Sequence, residues 1–160
     1  MALFSRTPAT HVPPVAGVRM DGTPFALPDA GVPATLAVVS FDDDAAPLAG
    51  QWMRLGQRLA ENAPGLALAD VLVLPPRMKL LGDVGLLGLR ARAEREGAPG
   101  RIAAVYARRK RLRTALGIDA AVTALLVGPD GAVAWRGQGE IDLHGIGALE
   151  EALAALLAAT

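Results

Sequence analysis

Residues 122–140 read VTALLVGPDGAVAWRGQGE. The first six, 122–127, are apolar except for Thr123 and do not alternate with polar residues. That is the pattern of a strand buried on both faces. Pro129-Asp130-Gly131 follows as a turn. Proline presets one backbone angle, aspartate can bond to the backbone just beyond it, and glycine accepts a positive φ. Residues 132–135 then return as the next strand, ending at Trp135-Arg136. A hairpin of this kind places an antiparallel strand beside a buried one.

Moving outward, residues 34–41 (ATLAVVSF) and 66–74 (LALADVLVL) are two further buried strands. Between them Leu48, Trp52, Leu55 and Leu59 recur at helical spacing, with Gln51, Arg54, Arg58 and Glu61 on the other side. Asp44 is expected as the N-cap of this helix, Pro47 suits its first turn, and Pro64-Gly65 ends it. A strand, a helix and a strand in this order predict a parallel pair with a right-handed crossover. Pro75-Pro76 stops the second strand, and residues 78–96 are expected to be helical. Gly82, Gly85 and Gly88 each weaken that helix by about 1 kcal/mol relative to alanine. Residues 101–116 read either as a short edge strand plus a basic helix or as one helix. Residues 146–158 form a terminal helix, and 17–27 a hairpin turning at Asp21-Gly22. Residues 1–14 look like an irregular lead. The sum is an α/β chain, a mixed sheet with helices on both faces.

The 160 residues suit a single domain spanning 1–160, and 52% apolar content excludes long disorder. Sixteen basic residues against 16 acidic ones leave no global field to attract nucleic acid or an anionic membrane. There is no cysteine, so disulfides, thiolate metal sites and cysteine nucleophiles are excluded from these residues. Two histidines make a histidine-built metal centre unexpected. The start, MALFSRTPATHVPP, lacks a secretory apolar run, and no stretch is long enough to span a bilayer. A soluble cytoplasmic protein is the expectation.

Leu116-Gly117-Ile118, the apolar strand 122–127, Pro129-Asp130-Gly131, Trp135-Arg136, Gly137, Gly139-Glu140 and the closing helix together resemble the thioredoxin-like superfamily in its peroxiredoxin-related form. Residues 101–118 and 135–140 also resemble, more faintly, a branch of assembly factors that serve mitochondrial ATP synthase. The resemblance implies a three-layer α/β/α fold with a mixed central sheet and an N-terminal β-hairpin. It further implies where reactive sulfurs belong, just after the first core strand at the start of a helix. That place reads Ala45-Ala46-Pro47-Leu48, so hydrocarbon stands at both sulfur positions while the intervening proline remains. The family's cis-proline position is occupied by Val122. Thiol–disulfide exchange needs an attacking thiolate, so neither oxidoreductase nor peroxidase activity is expected. What the resemblance leaves is a redox-inactive module for protein binding, scaffolding or assembly. Its partner would be a protein of unknown identity, it would need no cofactor or metal, and self-association stays open.

Within that frame Asp42, Asp43, Asp44, Trp52 and Thr123 are the candidate binding groove, together with the replaced positions Ala45, Ala46, Pro47, Leu48 and Val122. Two alternatives of other classes stand beside it. Asp42–Asp44 lie at the carboxyl end of a central strand, where ligands of open α/β sheets bind, and could hold Mg²⁺ for phosphoryl chemistry. The ordinary reading of the same triplet is a solvated loop before a helix. Arg108, Arg109, Lys110, Arg111 and Arg113, with Arg101, form the densest positive run and could contact phosphate or RNA. Only Tyr106 is near enough in sequence to stack on a base, so the ordinary reading is a solvated helix face and nucleic acid is not expected. His11, His144 and Ser40 lack any visible partner for catalysis.

Overall fold

The computed structural model describes residues 10–159. Seven strands form one sheet: β1 (Val15–Arg19), β2 (Pro24–Leu27), β3 (Ala34–Ser40), β4 (Leu66–Leu74), β5 (Ile102–Tyr106), β6 (Val122–Val127) and β7 (Val133–Gln138). Their order across the sheet is β2-β1-β5-β4-β3-β6-β7. β3, β4 and β5 are mutually parallel, and the two hairpins complete the sheet with antiparallel strands on either side. Four helices, α1 (Ala46–Glu61), α2 (Leu87–Glu96), α3 (Arg109–Leu116) and α4 (Leu143–Ala158), cover both faces.

The alternating sides of each strand build two apolar layers. On one side Leu36 and Val38 of β3 and Val122, Ala124 and Leu126 of β6 meet Trp52 and Leu55 of α1 and Leu149 and Leu153 of α4. Leu72, Ile102 and Ala104 extend this side toward Leu89 and Ala93 of α2. On the other side Ala37, Val39, Val71, Val105 and Leu125 meet Leu112 and Leu116 of α3 and Phe25 and Leu27 of the hairpin. All seven residues of β3 are buried, as its unbroken apolar run requires.

Four local expectations change. Residues 78–96 are not one helix: 3-10 turns run over Pro76–Leu86 and α2 begins only at Leu87. Gly82 sits at φ +55 and ψ −135, which no helix accommodates, and the inward contacts come from Leu86, Leu89 and Ala93 instead of Leu80, Leu81 and Val84. Residues 101–116 resolve as strand plus helix, and β5 is interior because β1 pairs along its outer side. Asp44 is not an N-cap; it lies in a 3-10 turn, Asp43–Ala45, and Ala45 takes the cap position with no side-chain bond. The lead is partly ordered: Val12 is buried, its N–H donates to the Gly131 carbonyl at 2.8 Å, and His11 bridges to Ala132. The rest of the lead, residues 1–9, lies outside the described residues.

Candidate functional site

Three parallel strands end on one edge of the sheet, and the loops after them carry most of the residues singled out from sequence. After β3 the chain passes through Phe41, extends at Asp42 (φ −134, ψ 141), turns through Asp43–Ala45 and enters α1 with Pro47 in its first turn. With Ala45 as N-cap, Leu48 is the third helical residue. Those two positions approach one another on a helix start, which is the geometry a capping box uses. Both side chains are partly buried against the apolar cluster that contains Val122. Val122 itself pairs with Ser40, the last residue of β3, so the strand β6 begins beside the Asp42 loop.

The floor beneath this loop is hydrocarbon and aromatic. Trp52 is buried, and its Nε1–H donates to the Gly139 carbonyl at 2.8 Å. Trp135 packs on it with ring centroids 5.7 Å apart and planes tilted by 56°. Val122 and Thr123 are buried as well. So of the groove expected from sequence, Trp52 and Val122 lie in the apolar layer beneath α1, whereas Thr123, next to Val122 on the strand and paired with Val39, is buried on the opposite face of the sheet; only Asp42, Asp43, Asp44, Pro47 and parts of Ala45, Ala46 and Leu48 reach solvent.

Sequence reading treated the aspartate triplet and the basic run as separate features, yet the fold brings them together. Arg109 donates to the Asp42 carboxylate at 2.6 Å and to the Phe41 carbonyl at 2.8 Å. The Arg113 guanidinium lies over the Phe41 ring, 4.5 Å from its centre. Asp43 turns the other way, its Oδ1 3.6 Å from Arg92. Asp42 and Asp43 are thus drawn toward different arginines. Among the described residues no group of three His, Cys, Asp or Glu side chains is placed to hold a metal ion. Arg101 does not join the basic run: it precedes β5, whereas Arg108 follows it, and five strand residues at about 3.3 Å each separate the two.

Sequence reasoning missed one charged centre. Asp70, in the middle of β4, is buried and pairs with buried Arg92 of α2 at 3.0 Å. Arg92 also lies 3.9 Å from Glu96. Burial pushes the Asp70 carboxyl up to about 6; Arg92 opposes the shift, and Glu96 and Asp43 add to it. The signal was present, since Asp70 is the one charge in the apolar stretch LALADVLVL.

The sequence matches no protein-family model and no curated protein. Solved structures do match over nearly the whole chain. BsSco, a member of the Sco family of cytochrome c oxidase assembly proteins, superposes with a TM-score of 0.63 at 13% identity, over 97% of this chain and 98% of that one. A putative thiol:disulfide interchange protein DsbE from Chlorobium tepidum gives 0.59 at 17% identity, over 96% of this chain and 99% of that one. The exposed lipoprotein thioredoxin Etrx1 from Streptococcus pneumoniae strain TIGR4 gives 0.58 at 10% identity, over 87% and 98%. The fold is thioredoxin-like. Identities this low speak to architecture alone. Set against neighbours named for thiol:disulfide chemistry, this thioredoxin-like chain has no cysteine anywhere in its 160 residues.

Proposed function

We propose that this thioredoxin-like chain is a binding module for another protein, working without redox chemistry in a scaffold or assembly role. The observation that carries the reading is the start of α1. Ala45 and Leu48 occupy the N-cap and third helical positions around Pro47, packed onto the cluster of Val122; in the proposed reading, these are the positions where a thiol-handling relative would carry sulfur. A methyl and an isobutyl group cannot exchange disulfides. They can contribute apolar contact at the centre of a small surface rimmed by Asp43, Asp44 and Pro47, as interfaces require. The likeness to BsSco, itself described as a member of an assembly-protein family, supports an assembly role by analogy of fold.

The phosphoryl-transfer alternative has less support, because Asp42 and Asp43 are drawn apart by Arg109 and Arg92. A photo-crosslinking amino acid placed at Leu48, and in a second protein at His144, tests the proposal in extract from the native cell. A discrete protein adduct is expected from position 48, absent from position 144 and lost when Asp44→Lys and Pro47→Glu are added. Identical adducts from both positions would overturn it. So would magnesium-dependent hydrolysis of a phosphate ester that Asp42→Asn abolishes.

A further inference from the structure

The segment between β4 and α2 displays apolar side chains where a water-facing surface should not. Leu80 is 89% exposed, Val84 68%, Leu87 60% and Leu81 52%, so among the described residues four of the five exposed large apolar side chains fall within eight residues. The chain is held this way by its backbone. Gly82, at φ +55, turns the segment, and a side chain at Gly82 or Gly88 would meet nothing within 4 Å, so both sides of the turn are open. Leu86 and Leu89 anchor the segment from beneath, in the cluster with Leu72 and Ile102. Contiguous exposed apolar surface of this kind marks a contact site.

The charges around it select the partner. Arg77 and Lys79 precede the leucines; both are exposed, and neither pairs with a carboxylate among the described residues. The one acid in the segment, Asp83, is neutralised by Arg90 at 3.0 Å. The same edge of the sheet carries Arg108, Lys110 and Arg111, because the Ala107 N–H donates to the carbonyl of Leu74, the last residue of β4. These three are exposed and unpaired among the described residues too. Leucines and cations without an aromatic anchor differ from the centre of a protein interface, where tyrosine and tryptophan are enriched and lysine is depleted. They match a lipid interface, where apolar side chains enter the acyl boundary and Lys and Arg meet anionic headgroups.

We propose that residues 76–88 form a peripheral docking site for an anionic bilayer surface, with Leu80, Leu81, Val84 and Leu87 entering the interface and Arg77 and Lys79, backed by Arg108, Lys110 and Arg111, meeting the headgroups. The proposed association is peripheral, made by these side chains at the interface; no helix among the described residues is long and apolar enough to cross a membrane. It leaves the Asp42–Leu48 loop, on the neighbouring β3, available to a protein at the membrane surface.

Co-sedimentation of the full chain with phosphatidylcholine vesicles containing phosphatidylglycerol, and with phosphatidylcholine vesicles alone, tests this. Binding is expected to the mixed vesicles only and to weaken with salt. Lys79→Gln should lower the partition coefficient about fivefold. Leu80→Ser should lower it about tenfold. Leu143→Ser, at an equally exposed leucine on α4, should leave it unchanged, and unaltered circular dichroism shows that each variant is folded. Absence of binding to the mixed vesicles overturns the proposal, as does equal binding to both. Concentration-dependent dimerisation abolished by Leu80→Ser, without vesicle binding, would reassign the patch to a second copy of the chain.

Discussion

Gly137 is a residue whose value lies in what it lacks. A Cβ there would sit 2.8 Å from the Trp52 ring and closer still to that of Trp135. The two rings lie over the β7 backbone because nothing stands beneath them, and Trp52 thereby reaches the Gly139 carbonyl. Gly137→Ala should therefore destabilise the protein by about 1–3 kcal/mol through overpacking, read as a lower urea midpoint with an unchanged m-value. Asp70 makes a different demand. Its carboxyl is pushed up to about 6 when folded, against an ordinary value of 3.8, so the folded chain keeps a proton that the unfolded chain has released. The stability this contributes is fully present below about pH 4, falls as pH rises and is gone above about 6, a difference of up to roughly 3 kcal/mol. Melting temperatures measured across that window should show the native protein losing ground to Asp70→Asn as pH increases. A constant difference between the two would contradict the assignment. Neither contact can be read from the sequence: a glycine among 18 does not announce which one lies under a tryptophan pair, and a strand aspartate, conspicuous as it is in its apolar run, does not name its arginine.

At the scale of elements, the strands were the most legible part. Runs 34–41, 66–74 and 122–127 are buried on both faces, so composition alone marks them, and the two turns at Asp21-Gly22 and Pro129-Asp130-Gly131 are chemically specific. The helices were less so. α1 follows its apolar stripe, but its start is shifted because Asp43 and Asp44 are used in a 3-10 turn before it. The 76–96 segment misled because its leucines have helical spacing, while Gly82 adopts a backbone angle that spacing cannot reveal. α4 starts at Leu143, three residues ahead of the expected 146, because Asp142 caps it: its carboxylate accepts the Gly145 N–H at 2.6 Å. Asp142→Ala should cost about 1 kcal/mol, seen as a lowered thermal midpoint, while Asp142→Asn should largely preserve it. An unchanged midpoint in the alanine variant would mean that the cap adds nothing beyond the packing of Leu149 and Leu153.

For the molecule as a whole, the overall balance of charge conceals a local arrangement. Sixteen acids and 16 bases cancel, yet the edge where β3, β4 and β5 end collects an aspartate loop, a leucine turn and a basic helix. The sequence displayed each of these pieces but not their common edge, which only the strand order creates. The Asp42–Arg109 and Asp43–Arg92 contacts were invisible for the same reason. The proposed function requires that the start of α1 keep the setting of a reactive thiol pair with hydrocarbon in it. The N-cap and third positions of a helix start can be bridged by a disulfide, and the helix N-terminus lowers the pKa of a thiol placed there. The direct test is Ala45→Cys combined with Leu48→Cys, measured by titrating thiol alkylation against pH and by the redox equilibrium with glutathione. Reversible closure of one intramolecular disulfide is expected, with a thiol at position 45 that titrates below the ordinary value of about 8.5. Two thiols that stay reduced under mild oxidation and titrate like those of a free peptide would contradict it.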